Sequence, residues 1–157
     1  MIQRVQTLYL MVVTLLMVVT LLCPLVYIGV DGHQITLSAF SISDAEGVLS
    51  HASAWLGAML VVTTLLPFVT IFLYKNRPLQ IRLCGVECVL LIGVLVVMGA
   101  FTYAICNNIF ADFDITWSNI VFRFPILMPI VSVILTPLAM RAILRDELLV
   151  RSLDRIR

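Results

Sequence analysis

The sequence contains few charged residues. Asp, Glu, Lys and Arg make up 12% of its 157 residues, 62% are hydrophobic, and the mean hydropathy is +1.12. An average soluble domain carries roughly 25% charged residues and about 45–50% apolar ones. A chain of this composition could not hide its apolar surface from water. The composition therefore argues against an ordinary soluble domain and predicts one compact membrane domain.

The sequence also lacks the short motifs of common catalytic sites. It has no G-x-S-x-G, no H-E-x-x-H and no glycine-rich phosphate loop. Its basic residues form no patch with interleaved aromatic residues, which a nucleic-acid surface would show. We therefore expect no enzymatic activity, no cofactor and no nucleic-acid partner.

Four long apolar runs dominate the chain instead. Each is long enough, at about 1.5 Å per helical residue, to cross a hydrocarbon layer of about 30 Å. They cover approximately residues 5–28, 52–74, 83–105 and 124–144. The first is expected to be a retained helix, because no small-residue cleavage site follows it. The predicted fold is an all-α membrane protein: a single four-transmembrane-helix bundle in the lipid bilayer.

A short basic segment, residues 75–82, sets the predicted topology. It contains Lys75, Arg77 and Arg82 but no acidic residue, and Pro78 turns the chain. Lys and Arg are retained on the cytoplasmic side of a membrane. This loop and both termini are therefore predicted to be cytoplasmic. The remaining segments follow as two outer loops, residues 29–51 and 106–123, and a cytoplasmic tail, residues 145–157.

The first outer loop has a pattern typical of a small β-hairpin. Asp31-Gly32 is a strong two-residue turn signal, and Ile35 and Leu37 alternate with polar residues. Further along, Ser43 and Glu46 have the spacing of a helix capping box. We expect an extracytoplasmic hairpin followed by a helix start.

The tail has the pattern of a C-terminal amphipathic helix. Its apolar residues recur on one face and its charges lie mostly elsewhere. Such a helix could contact anionic lipid headgroups, dock on a partner protein, or pack against the bundle. The candidate contact residues are Arg145, Arg151, Arg155 and Arg157.

Glu87 is the only acidic residue well inside a predicted span. A carboxylate there is costly, and it is a functional hypothesis by default: it could relay protons, or bind a cation or a polar substrate group. Alternatively, it could pair with an arginine at the cytoplasmic end such as Arg82 or Arg4, or it could reach the headgroup level. The candidate functional residues are Glu87, Arg82, Arg77 and Lys75.

The cysteines and histidines offer weaker candidates. Cys84 and Cys88 share a helix face with Glu87, but their spacing matches no closed zinc pattern, so we expect packing residues and no metal. The histidines, His33 and His51, are interpreted as ordinary loop and helix-start residues. Cys23 and Cys106 both end helices on the outer side. They form a candidate disulfide if the first and third helices are neighbours.

Arg123 is the only cation predicted on the outer side. Asp112 and Asp114 precede it in the same loop and are its predicted partners. A surface ion pair of this kind would stabilise the fold by about 0–1 kcal/mol.

Three separated segments resemble a known family. They are MIQRVQTLYL at residues 1–10, KNRPLQIRLC at 75–84 and RDELLVRSLDRIR at 145–157. The chain is similar to a domain-of-unknown-function family of small four-span inner-membrane proteins from Bacteroides and related bacteria. The resemblance implies an inner-membrane location and no particular activity.

Two classes of function remain open from the sequence. The first is a non-catalytic accessory protein that binds a larger membrane or cytoplasmic complex. The alternative is a small oligomeric transporter or channel using Glu87, or a protein that binds lipid or quinone. A transporter needs a polar cavity near the midplane, whereas an accessory protein can fill its interior with Leu, Val and Met. The interior of the fold therefore separates the two classes.

Overall fold

The computed structural model describes residues 3–30, 33–44, 47–51, 53–74, 76–108 and 120–154. Its helices pack side by side, with each helix next to the following one and α1 next to α4. The helices are α1 (Gln3–Leu22), α2 (Ala54–Phe72), α3 (Arg77–Asn108) and α4 (Leu127–Asp154), the last preceded by a 3-10 turn, Phe124–Ile126. In this arrangement α1 and α3 face each other across a diagonal.

The segments between the helices form a five-stranded antiparallel sheet in the order β4-β3-β2-β1-β5. The strands are β1 (Val26–Val30), β2 (His33–Leu37), β3 (Ile42–Asp44), β4 (Gly47–Ser50) and β5 (Ile120–Phe122). In the central pair Ile28 lies opposite Ile35, and on its other side Ile28 lies opposite Ile120. The sheet therefore joins residues that are about ninety positions apart in the chain.

The sheet covers one end of the helices, because β1 follows α1 directly and β5 leads into α4. Its inner face consists of alternating buried residues such as Ile28 and Leu37. These residues belong to the same buried cluster as Met17, Leu60 and Met98 of the helices. Strand residues and helix residues thus share one continuous apolar core.

The helices bury residues at heptad spacing, three or four positions apart. This spacing is typical of nearly parallel helices packed side by side. The buried series are Gln6, Leu10, Val13 and Met17 in α1; Gln80, Cys84, Glu87 and Leu91 in α3; and Ser132, Thr136, Ala139 and Ile143 in α4. We call the α3 series the α3 seam.

The predicted all-α fold with four membrane-spanning helices is wrong. The described residues contain a five-stranded sheet and three helices long and apolar enough to cross a membrane, within α2, α3 and α4. The predicted first span, residues 5–28, is divided: α1 ends at Leu22, and Val26–Val30 is a strand. Pro24 does not continue a helix, and β-branched and aromatic residues after it favour a strand.

Three further expectations differ in part from the structure. The hairpin is present as β1–β2, although its turn, Asp31-Gly32, lies outside the described residues. The capping box is wrong, because Ser43 belongs to β3; its predicted partner Glu46 is not described. The tail forms no separate helix, because α4 continues without interruption to Asp154.

Candidate functional site

Polar side chains connect the helices at the end opposite to the sheet. Gln6 of α1 donates a hydrogen bond of 3.0 Å from Nε2 to the carbonyl oxygen of Ala142 in α4. Gln80 of α3 donates one of 2.8 Å to the carbonyl oxygen of Thr70 in α2. Both glutamines are buried. All four helices are therefore linked in pairs by buried amide groups.

Arg77 joins the start of α3 to the far part of α4. Its Nη2 lies 3.0 Å from Oδ2 of Asp146, and its Nη1 donates a hydrogen bond of 3.3 Å to the Asp146 carbonyl oxygen. The Nη2 contact is close enough for an ion pair, but Oδ2 accepts no well-aligned hydrogen bond. Both side chains are less than one quarter exposed, so the pair is partly shielded from solvent.

A cavity of about 310 Å³ opens beside these polar groups. It is lined by Gln6, Thr7, Ile71, Phe72, Tyr74, Arg77 and Gln80. The lining combines aromatic and amide groups with one guanidinium, whose charge already faces Asp146. Glu87 is not part of this lining.

Glu87 lies deeper, in the α3 seam, and is 1% exposed. It therefore faces the interior of the helices. Neither of its carboxylate oxygens has a hydrogen-bond partner in the part of the chain that the structure describes. The predicted ion pair with Arg82 is wrong for that reason, and Arg82 itself is exposed. The side chain of Arg4, the other predicted partner, is not described.

The remaining predicted functional residues lie apart from Glu87 or outside the description. Lys75, Arg155 and Arg157 are not described, and neither is the side chain of Arg151. Arg145 is exposed on α4. The structure thus does not bring Glu87, Arg82 and Arg77, the described members of the predicted set, into one site.

The cysteines are all free thiols. Cys84 is buried against Leu10 and Ala139, in agreement with the packing role expected for it. Cys23 and Cys106 are half-buried, and a disulfide between them is not part of the structure. The disulfide is expected only if the first and third helices are neighbours. In the described residues α1 and α3 lie across a diagonal and are not neighbours.

Arg123 lies over the ring of Tyr27, with its guanidinium carbon 4.5 Å from the ring centroid. This cation–π contact links the residue after β5 to β1. Its predicted partners, Asp112 and Asp114, lie outside the described residues. Among the described residues no group of three or more His, Cys, Asp or Glu side chains could hold a metal ion.

The sequence analysis missed the interhelical roles of Gln6, Gln80 and Asp146. A usable signal was present. Gln80 lies seven residues before Glu87, and seven residues are almost two full helical turns. The two side chains therefore lie on one face of α3, which continues through Leu91 and Val94.

One family model matches residues 2–156 of the chain, and its description is Domain of unknown function (DUF4293). No curated protein matches the chain. The family match confirms the predicted membership of a family of unknown function. The restriction to Bacteroides and related bacteria stays a prediction.

Proposed function

The chain belongs to this family of unknown function, and we propose that it is an integral, non-catalytic protein of the bacterial inner membrane that binds a larger membrane or cytoplasmic complex. The observation that carries the proposal is an apolar outer surface combined with an interior in which Leu, Val and Met side chains form the main buried cluster. The first property supports a membrane location. The second supports an accessory role over transport.

Large apolar side chains point outward from every helix. More than half of the surface of each of four representatives, one per helix, is exposed: Leu15, Leu65, Val89 and Ile134. A soluble monomer rarely exposes so much contiguous apolar surface, whereas lipid tails solvate it without cost. The three helices that are long enough to cross a membrane carry much of this surface.

The distribution of charge supports the proposed orientation. Arg77, Arg82, Arg141 and Arg145 lie on the helix ends opposite to the sheet. The sheet end carries Arg123. Because cations are retained in the cytoplasm, the end with these arginines would face the cytoplasm. The sheet would then face the outer side.

The interior supports an accessory protein over a transporter. Buried Leu, Val and Met side chains fill the space between the helices, among them Val13, Met17, Leu60, Leu91 and Met98. A transport pathway through Glu87 would require a polar cavity around it. The cavity of about 310 Å³ lies instead beside Gln6 and Gln80, at the end of the helices opposite to the sheet, and Glu87 does not line it.

The exposed end of α4 is the proposed contact surface for the partner. Arg145 is exposed, and Leu148 one turn later is 66% exposed. Arginine is enriched in protein interfaces, and an exposed large apolar side chain beside it adds surface that a partner could bury. This segment would project beyond the membrane into the cytoplasm.

Native mass spectrometry of the protein, extracted gently from its own membrane, tests the accessory role. A reproducible heavier complex is expected, and it should be lost in the double variant Arg145→Glu/Leu148→Ser. Trp55→Ser is the matched control, because Trp55 is 80% exposed at the other end of the helices. A homo-oligomer with bound small molecules or lipid, and no second protein, would instead favour transport or lipid binding.

Cysteine labelling tests the orientation. Asn76 and Arg82 are exposed at the end opposite to the sheet. In a protein with Cys23 and Cys106 replaced by serine, Asn76→Cys and Arg82→Cys should resist a membrane-impermeant maleimide added to intact cells and react after the cells are opened. Gln34→Cys, exposed in β2, should react in intact cells. The reverse pattern would show that the proposed orientation is wrong.

A further inference from the structure

Glu87 occupies a seam position that its neighbours fill with apolar or uncharged side chains. It is 1% exposed, and both oxygens lack a partner among the described residues. An ionised carboxylate in such surroundings is strongly destabilised, and a buried acid without a counter-charge becomes neutral instead. The chemistry around the carboxyl group decides how the neutral form is held.

Buried threonines lie at the same level as Glu87. The Gln80–Thr70 hydrogen bond fixes the register of α3 against the antiparallel α2. Glu87 and Thr63 are each seven residues, roughly 10 Å, further along from that bond. Thr63 is fully buried. The two side chains therefore lie in one layer of the interior.

Helix α4 adds a second threonine to this layer. The bond from Gln6 to Ala142 fixes the register of α1 against α4. Thr136 lies six residues before Ala142, at the level of Val13 in α1. Leu10 of α1 and Cys84 of α3 belong to one buried cluster. Val13 and Glu87 each lie three residues further along their helices, so they are at about the same level. Thr136 is fully buried as well.

Both threonine hydroxyls already donate their hydrogen within their own helices. The hydroxyl of Thr63 faces the carbonyl oxygens of Met59 at 3.0 Å and Leu60 at 3.1 Å. The hydroxyl of Thr136 donates to Ser132 at 2.8 Å. The layer therefore offers hydroxyl oxygens that can accept a hydrogen bond, and no free donor from these threonines for a charged carboxylate.

The stretches of the neighbouring helices that are level with Glu87 carry no charge that could balance a carboxylate, and the cations of α4, Arg141 and Arg145, are exposed nearer to the end opposite to the sheet. Gln6–Leu22, Ala54–Phe72 and residues 127–140 contain no Asp, Glu, Lys, Arg or His. On α3 itself, Arg82 is exposed and the nearest titratable side chains are the thiols of Cys84 and Cys88. No cluster of three or more His, Cys, Asp or Glu side chains that could hold a metal ion is present in the described residues.

We propose that Glu87 is a proton-binding site: its carboxyl group holds a proton and stays neutral inside the helices, where no described side chain donates a hydrogen bond to it or balances its charge. This inference does not depend on the accessory role. It assigns Glu87, the one acidic residue in the buried class among the described residues, to a proton rather than to a metal ion or an ion pair.

Infrared spectroscopy of the protein in liposomes at neutral pH tests the site directly. A protonated carboxylic acid has a carbonyl stretch separate from that of a carboxylate. We expect this band in the native protein and its loss in Glu87→Gln. Glu147→Gln, on the part of α4 beyond the apolar helix core, is the control and should leave the band unchanged. A native protein without the band, or a band that survives in a folded Glu87→Gln variant, would overturn the proposal.

Chemical modification distinguishes a proton from a cation at this site. The apolar reagent dicyclohexylcarbodiimide adds to a protonated carboxyl group, and mass spectrometry should locate one adduct on Glu87. Added sodium should not protect the residue. Protection of Glu87 by sodium would identify a cation site and would overturn the proposal.

Discussion

The side-chain amide of Gln80 donates a hydrogen bond of 2.8 Å to the carbonyl oxygen of Thr70, across the turn that joins α2 to α3. The last carbonyl groups of a helix have no partner within the helix. Thr70 also accepts a bond of 3.2 Å from the amide of Leu73. Gln80 therefore completes the end of α2 and fixes its register against α3.

Gln80→Met should destabilise the protein by about 1 kcal/mol, because it removes one net hydrogen bond and keeps the side-chain volume. Arg82→Gln on the same helix is the control, since Arg82 is exposed. The free energy of unfolding in detergent gives the comparison. Equal stability of Gln80→Met and the control would show that the bond contributes nothing.

Gly57 is the site of a close approach between α2 and the segment that joins β2 to β3. A Cβ atom at this position would collide with the ring of Phe40 and lie 2.8 Å from the carbonyl oxygen of Ala39. Gly57→Ala should therefore destabilise the fold by about 1–3 kcal/mol. The effect is measured as a lower unfolding temperature in detergent.

Gly85→Ala is the matched control for this substitution. A Cβ atom at Gly85 would meet nothing within 4 Å. Because alanine favours a helix over glycine, the control should be neutral or up to about 1 kcal/mol more stable. A Gly57→Ala protein as stable as the control would contradict the close packing of Phe40 on α2.

The ion pair between Arg77 and Asp146 can be measured by a double-mutant cycle. Arg77→Gln and Asp146→Asn should each lower stability, and the coupling energy should be about 1 kcal/mol because the pair is only partly shielded. High salt should reduce the coupling. Strictly additive single effects would show that the 3.0 Å contact does not stabilise the protein.

Cys23 and Cys106 should both react with a maleimide without prior reduction, because they are half-buried free thiols. The electrophoretic mobility should be the same with and without a reducing agent. Cys84 is buried and should react more slowly until the protein is unfolded. Labelling of Cys23 and Cys106 only after reduction would restore the disulfide hypothesis.

The sequence by itself determined the apolar helices and the membership of the family. Runs such as Ala54–Phe72 need no information from the rest of the chain, because length and hydropathy alone make them candidates to cross a membrane. The first hairpin was also predictable, since its turn and its alternation are local features. Glu87 was predictable as a rare acid within an apolar run.

Only the tertiary structure decided the sheet and the surroundings of Glu87. By hydropathy alone, Val26–Val30 cannot be told apart from a continuation of the preceding helix. The pairing of Ile28 with Ile120 joins distant segments, so no local sequence pattern predicts it. The partners of Gln80 and Asp146, and the threonine layer around Glu87, likewise depend on how neighbouring helices are aligned. Contacts between distant segments are fixed by packing, and single-residue composition does not encode them.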